Sequence, residues 1–148
     1  MDKSQYWSWE DEFVGHQTEP IQFELTAEAV EKYARAVEDL NPWYLDDQAA
    51  GSAGWGARIA PATAATIWAI HASRATQGPK LGPPGRVHAK QSYEFHRPAR
   101  VGDVLTTVAT TVDKYVRRDR LYTVIESTTT NQDGERVVTA RMTGIWPF

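Results

Sequence analysis

The segment at residues 61–76 constrains the fold more than any other part of the chain. It reads PATAATIWAIHASRAT and carries small or apolar side chains on nearly every helical face. Its first residue, Pro61, suits the start of a helix, where a missing backbone N–H does no harm. A helix that is apolar all round has to be buried. The sequence therefore predicts a central helix that other elements cover.

The stretches after residue 86 have the patterns of β-strands. Between residues 87 and 95 the odd positions are mostly apolar and the even ones polar, which predicts a half-buried strand. Residues 121–130 are rich in β-branched and aromatic side chains, which favour strands. Two further strands have faces formed by Val104, Val108 and Val112 and by Val138, Ala140, Met142 and Trp146. Turn signals at residues 117–120 and 131–134 separate the last three strands and predict an antiparallel meander.

The sequence before the central helix predicts a short strand, a helix and a loop. Apolar residues alternate over 21–25, and Thr26 then stands as a candidate N-cap. The apolar stripe of the helix consists of Val30, Tyr33, Ala34 and Val37. This helix is expected to end near Asp39. Residues 45–58 are predicted to form a loop that includes a turn of helix at 46–50.

This order of elements predicts an α+β fold. One apolar helix followed by a run of antiparallel strands has to lie against the single sheet that those strands form. The expected result is a single hot-dog domain, in which a curved antiparallel sheet wraps around a central helix at about residues 61–76. The domain is assigned to residues 13–148, with residues 1–12 as an N-terminal arm. One such unit leaves a sheet edge uncovered, which predicts a dimer or a multiple of one.

The composition excludes several classes of protein. A length of 148 residues suits one compact domain. The net charge of −3, with both signs interspersed, offers no basic field for nucleic acid or an anionic membrane. No cysteine is present, which excludes disulfides, thiolate metal sites and a cysteine nucleophile. The N-terminus has no leader pattern and no run of about twenty apolar residues occurs, so we expect a soluble cytoplasmic protein.

Three motifs resemble those of the MaoC-like (R)-specific enoyl hydratases and dehydratases. They are Asp-Leu-Asn-Pro-Trp-Tyr at 39–44, Ile-Ala-Pro at 59–61 and Phe-His-Arg-Pro-Ala-Arg-Val-Gly-Asp at 95–103. The resemblance covers roughly residues 13–147 and is closest to the N-terminal or partner type of unit, the FAS1-like dehydratase. It implies a hot-dog fold, no cofactor, and a substrate that is an acyl thioester of coenzyme A or of a carrier protein.

The resemblance also implies two catalytic positions. In this family an Asp and a His hold the water that adds to C3 of a trans-2-enoyl thioester. Here Asp39 takes the acidic position and Tyr44 stands where the family has the His. A tyrosine with a pKa of about 10 is ionised in about one molecule per thousand at pH 7, a penalty of about 4 kcal/mol for a general base. Asp46 and Asp47, if near, would raise that pKa further. Tyr44 is therefore predicted to be a poor base that can still donate a hydrogen bond.

Six further residues are candidates for substrate binding: Asn41, Ala62, Thr63, Gln91, Arg97 and Arg100. Catalytic relatives tend to have His-Gly where this chain has Pro61-Ala62, but the amides of residues 62 and 63 either hold a carbonyl or phosphate oxygen or are simply hydrated. The amide of residue 91 interrupts an apolar strand face and either bonds locally or faces the site. The two arginines either bind phosphates of the thioester carrier or lie exposed on a turn.

The histidines are secondary candidates. His88 and His96 fall on the polar face of their strand, which favours a surface position, and His71 on the central helix is a reserve candidate for proton transfer. No pair of histidines or carboxylates has metal-ligand spacing on one helix face, so no metal is predicted. Space for a bulky acyl chain or ring is expected beside Ala62, Ala64, Ala65 and Ala69, and Trp68 could close that space.

Three interpretations of function remain, and they are ranked here in descending order. The first is the non-catalytic, acyl-thioester-binding subunit of a heteromeric hydratase or dehydratase of lipid metabolism, whose second MaoC-like chain carries the Asp/His pair. The second is a self-sufficient homodimeric enoyl-CoA hydratase or thioesterase that uses Asp39. The third is a hot-dog binding protein without thioester chemistry. Whether the chain is an enzyme by itself stays open at this point.

Overall fold

The computed structural model describes residues 5–75, 80 and 82–147. Within them, five strands form one antiparallel sheet in the order β1-β3-β4-β5-β2. The strands are β1 (Ile21–Glu24), β2 (Val87–Phe95), β3 (Val104–Arg117), β4 (Arg120–Thr130) and β5 (Arg136–Trp146). The helices are α1 (Ala27–Ala36), α2 (Pro42–Leu45), α3 (Asp47–Ser52) and α4 (Ala65–Ala75), and a 3₁₀ turn at Ala62–Ala64 leads into α4. The hairpins β3-β4 and β4-β5 confirm the predicted meander.

Helix α4 packs against β3, β4 and β5. Among the side chains of α4 that the structure describes, the buried ones are three alanines and one indole: Ala65, Trp68, Ala69 and Ala72. A helix held in this way by a curved antiparallel sheet is the hot-dog fold that the sequence predicts. The helix is confirmed as far as residue 75, because residue 76 lies outside the described part of the chain. Ile67 and Ile70 are only partly buried, so one side of α4 is incompletely covered in the single chain.

The side of β3 that faces α4 is not the one with the valines. Leu105, Thr107, Ala109 and Thr111 are buried, whereas Val104, Val108 and Val112 on the other side are only partly buried. Small side chains let the alanine-rich helix lie close to the sheet. The buried hydroxyls have partners, since Thr107 lies 2.8 Å from the Thr129 hydroxyl and Thr111 donates to Glu12. Alternation alone does not tell which face is inside, since β-branched residues suit both.

The prediction of a half-buried β2 is wrong for most of its length. This strand pairs only with β5 among the described strands and therefore forms an edge of the sheet. Val87 is 53% exposed and Phe95 47% exposed. A register shift between His88 and Lys90 interrupts the alternation. Only Gln91 and Tyr93 retain the partial burial that the pattern predicts.

The predicted cap at Thr26 is confirmed, and the motif at residues 39–44 is more ordered than expected. Thr26 Oγ1 accepts a hydrogen bond from Ala29 N (3.2 Å) at the start of α1, and Asp46 caps α3 in the same way. The loop before α3 contains an unpredicted turn, α2, in which Asn41 Oδ1 accepts from Trp43 N (3.0 Å) and a proline fills the first position. Val37 is 47% exposed instead of buried, because α1 ends one residue before it.

The N-terminal arm is anchored on the sheet by one buried carboxylate. Glu12 is 2% exposed. Its oxygens accept hydrogen bonds from Thr111 Oγ1 (2.9 Å) and Trp7 Nε1 (3.0 Å), and one of them lies 2.9 Å from His16 Nδ1. The arm then continues along β3 through backbone hydrogen bonds between residues 15–16 and Thr111. The N-terminal arm and the residues that follow it therefore pack against β3.

The described residues contain no helix that is long and apolar enough to cross a membrane. They also contain no group of three or more histidine, aspartate or glutamate side chains arranged to hold a metal ion.

Candidate functional site

A pocket of about 300 Å³ lies where the start of α4 meets the turn after β2 and the beginning of β5. The helix contributes Ala62, Ala65 and Trp68 to its wall. The turn contributes residues 95–99, and Tyr44 closes another side from α2. Most of these side chains are apolar, and polar groups enter at only a few points. The pocket therefore suits an apolar group with a polar end.

Of the two predicted catalytic positions, Tyr44 lines the pocket, whereas Asp39 is exposed, does not line it and lies near the Tyr44 phenol. Tyr44 is half-buried, lines the pocket and packs against the core. Burial, and then the negative charge of Asp39, raise the pKa of the Tyr44 phenol above its ordinary value of 10.0. The carboxylates of Asp46 and Asp47 are engaged elsewhere, on Ala49 N and on Arg58. The nearby charge that opposes ionisation of the phenol is thus Asp39 itself, and Tyr44 is a hydrogen-bond donor at neutral pH.

Removing the Tyr44 hydroxyl should change the stability of the protein at alkaline pH and leave its stability at neutral pH unaltered. The unfolded phenol ionises near 10.0 and the folded one only above it, so ionisation favours the unfolded state from about pH 10 upward. Tyr44→Phe should therefore raise the pH midpoint of alkaline unfolding, measured by circular dichroism. Tyr93→Phe should do the same, because burial also raises the pKa of Tyr93. A tyrosinate absorbance that appears in the native protein below about pH 9, and is lost in Tyr44→Phe, would show instead an activated phenol.

The start of the central helix is held in place by the turn after β2. Ala60 N donates to Ala99 O (2.8 Å), and Ile59 forms an isolated β-bridge with Arg100. Pro61 caps the 3₁₀ turn, whose first hydrogen bond runs from Ala64 N to the Pro61 carbonyl (2.9 Å). The amides of residues 62 and 63 come before that bond and have no partner inside the turn, as expected for a helix start.

The six binding candidates separate into two groups. Ala62 and Arg97 line the pocket, whereas Thr63, Gln91 and Arg100 do not. The remaining candidate, Asn41, does not line it either and is the N-cap of α2. Arg97 forms an ion pair with Glu135, whose pKa is lowered first by a hydrogen bond from Asn131 and then by Arg97. The pocket mouth therefore has one arginine that is paired and partly exposed.

Two of the histidine predictions can be compared with the structure. His96 lines the pocket, and its Nε2 lies 3.1 Å from Thr139 Oγ1. His96 is also exposed, as its predicted position on the polar face implies, and it follows the last residue of β2, Phe95. His88 lies exposed on β2, as predicted. The side chain of His71 lies outside the described part of the structure.

The space predicted beside the central helix is present in part. Ala62 and Ala65 line the pocket, and Trp68 forms part of its wall, but Ala64 and Ala69 are buried in the core.

Comparison with known proteins gives a consistent picture. The family model for the FAS1-like dehydratase domain region matches residues 12–140. An uncharacterised UPF0336 protein of Saccharopolyspora erythraea is 33% identical over 135 residues, 88% of this chain and 86% of that protein. A 3-hydroxybutyryl-CoA dehydratase of Methylorubrum extorquens is 32% identical over 90 residues, 60% of this chain and 54% of that protein.

The solved structures add a relative that forms a complex. One chain of the HadBC (3R)-hydroxyacyl-ACP dehydratase complex of Mycobacterium tuberculosis superimposes with a TM-score of 0.78 and 28% identity. The match covers 90% of this chain and 97% of that one.

Proposed function

The chain belongs to the FAS1-like dehydratase family of hot-dog hydratases and dehydratases, and we propose that within it this protein is the acyl-thioester-binding, non-catalytic subunit of a heteromeric enzyme. The enzyme would hydrate a trans-2-enoyl thioester or dehydrate the corresponding 3-hydroxyacyl thioester. A second hot-dog chain with an intact Asp/His pair would supply the proton transfers. No cofactor is needed for this chemistry, because the thioester itself acidifies C2.

The observation that carries this proposal is the Tyr44 phenol in the pocket wall. A base for water addition at neutral pH should have a pKa near the working pH. Burial and Asp39 move the pKa of this phenol in the opposite direction. The start of the central helix also differs from that of catalytic relatives, since Pro61 cannot donate an N–H. The chain therefore retains a pocket for the acyl group but lacks the group that would act on its C2 and C3.

The proposal that this chain assembles with a second subunit rests on the uncovered sheet edge and on the relatives. Strand β2 has one unpaired side among the described strands, which a second hot-dog unit can cover. The HadBC relative is described as a complex of two different chains that act on an acyl-carrier-protein thioester. We infer the same kind of arrangement here, with Arg97 and Arg100 near the pocket mouth for the phosphate of the thioester carrier. Coenzyme A and a carrier protein share that phosphate chemistry.

Reconstitution tests the proposal directly. The purified chain is expected to bind enoyl-CoA or enoyl-carrier-protein thioesters without turnover, and a complex with its MaoC-like partner is expected to hydrate them. Loss of the conjugated thioester absorbance reports turnover, and size-exclusion mass reports the complex. Turnover by this chain alone would refute the partner-subunit role. Failure to bind any acyl thioester in either state would refute the ligand class as well.

A self-sufficient hydratase is the second candidate, because Asp39 lies near the pocket tyrosine and His96 lines the same wall. In that case Asp39→Asn should abolish turnover by the chain alone. Asp113→Asn, an exposed substitution on β3, is the matched control and should leave turnover unchanged.

A further inference from the structure

Four buried polar atoms have no hydrogen-bond partner in the part of the chain that the structure describes. They are Trp55 Nε1, Trp68 Nε1, Gln91 Oε1 and Tyr93 Oη. A buried donor or acceptor that is left unpaired destabilises the fold, so each such atom in a native structure requires an explanation. One of the four residues, Trp68, forms part of the pocket wall, and the other three do not.

Trp68 is held rigidly enough to act as a fixed donor. It lies on α4 and is 4% exposed, with its ring 6.0 Å from that of Phe23 in a tilted arrangement. The indole N–H can only donate. Its neighbours in the helix-side wall, Ala65 and Ala62, have no side-chain acceptor to offer. Because Trp68 lines the pocket, a molecule that occupies the pocket can supply the acceptor.

We propose that the Trp68 indole makes the pocket selective for an acyl chain that carries an oxygen substituent, a hydroxyl or a keto group, away from the thioester. This inference rests on the proposed function, in which the pocket holds the acyl group. The oxygen accepts a hydrogen bond from Trp68 Nε1. An unsubstituted acyl chain leaves that N–H unpaired.

The position of the oxygen follows from the helix. Trp68 comes six residues after Ala62, which is about 9 Å along a helix axis, and helical side chains lean back by up to a turn. An extended chain advances about 1.2 Å per bond. With the thioester carbonyl at the helix start, the oxygen sits about four to seven bonds beyond that carbonyl. It is therefore distinct from the oxygen that hydration places on C3.

Binding of matched acyl-CoA probes tests the proposal. The probes are octanoyl-CoA, 6-hydroxyoctanoyl-CoA and 3-hydroxyoctanoyl-CoA, titrated calorimetrically into the full chain, alone and in complex with its partner. The wild-type protein should prefer the 6-hydroxy probe over octanoyl-CoA by about tenfold, the worth of one hydrogen bond to a buried donor. Trp68→Phe should bring the two affinities level, because a phenyl ring has no N–H. The comparison is made between the two probes within this variant, since phenyl is smaller than indole and the affinity for octanoyl-CoA itself can change.

Trp55→Phe is the matched control. It also removes an unpaired buried indole N–H, but Trp55 packs against Trp43, with ring centroids 5.7 Å apart, outside the pocket wall. The preference should survive in this variant. If Trp68→Phe does not fold, the indole N–H resonances of isotope-labelled wild-type protein give the same answer. The 6-hydroxy probe should move the proton resonance of one of them further downfield than octanoyl-CoA does, as a new hydrogen bond requires.

The outcomes separate this inference from the proposed function. Equal binding of octanoyl-CoA and the 6-hydroxy probe, or a preference that persists in Trp68→Phe, overturns the role of the indole and leaves the acyl pocket standing. Absence of binding by all three probes overturns both.

Discussion

Replacing Glu12 with alanine is expected to lower the free energy of unfolding by about 3 to 5 kcal/mol. The carboxylate is 2% exposed and has contacts with Trp7, His16 and Thr111. Its loss leaves three buried or partly buried polar groups without their acceptor, and each such group costs about 1 to 3 kcal/mol. It also releases the arm from β3, so the change reaches beyond the site of substitution.

Chemical denaturation of the full chain, followed by tryptophan fluorescence, measures this effect. In a thermal unfolding experiment on a domain of this size, the melting temperature should fall by roughly 6 to 20 °C. Glu10→Ala is the matched control, because Glu10 is an exposed glutamate two residues away, and its effect should stay within about 0.5 kcal/mol. Equal stability of the two variants would mean that the arm adds nothing to the fold.

Enlarging Ala62 to leucine is expected to weaken acyl-thioester binding by about tenfold to a hundredfold. Ala62 is exposed and lines the pocket, so the added methyl groups enter space that the acyl chain needs and do not disturb the core. Overfilling a packed site costs about 1 to 3 kcal/mol, which corresponds to that range of affinity. The backbone amide at the helix start is retained, so the substitution tests the volume of the pocket and not its donor.

Calorimetric titration with octanoyl-CoA gives the affinities. Thr63→Leu is the control, since Thr63 is the next residue, is exposed, and does not line the pocket. It should bind as the wild type does, and both variants should melt at nearly the same temperature. Unchanged affinity in Ala62→Leu would place the acyl chain somewhere other than this pocket.

Features set by neighbours in sequence could be predicted from the sequence. The cap at Thr26, the turn of helix near residues 46–50 and the hairpin with its Asp133-Gly134 turn each depend on a few adjacent residues, and all three are confirmed. The central helix was predictable for the same reason, because its start and its apolar character lie within one segment. The motif at residues 39–44 likewise placed Asp39 near Tyr44.

Features set by distant neighbours could not be predicted from the pattern. Which face of β3 is inside depends on the side chains that α4 presents, and small threonines fit there better than Val108. The exposure of β2 depends on its position at the end of the strand order, which alternation does not encode. His96 belongs to the pocket because the strand stops just before it, and Trp68 became a candidate only when its indole proved to have no partner.

The free edge of β2 also bears on how the chain behaves when it is produced by itself. This edge is nine residues long, contains no proline and has exposed apolar side chains at both ends, Val87 and Phe95. Such an edge is a template on which further strands can add, and proteins usually blunt it with charges, bulges or a covering element. In β2, Lys90, Glu94 and the register shift after His88 protect the middle of the strand, and the two apolar ends remain exposed. Expression without a mate should therefore give material that precipitates on concentration, and co-expression should raise the recoverable yield before any activity is assayed.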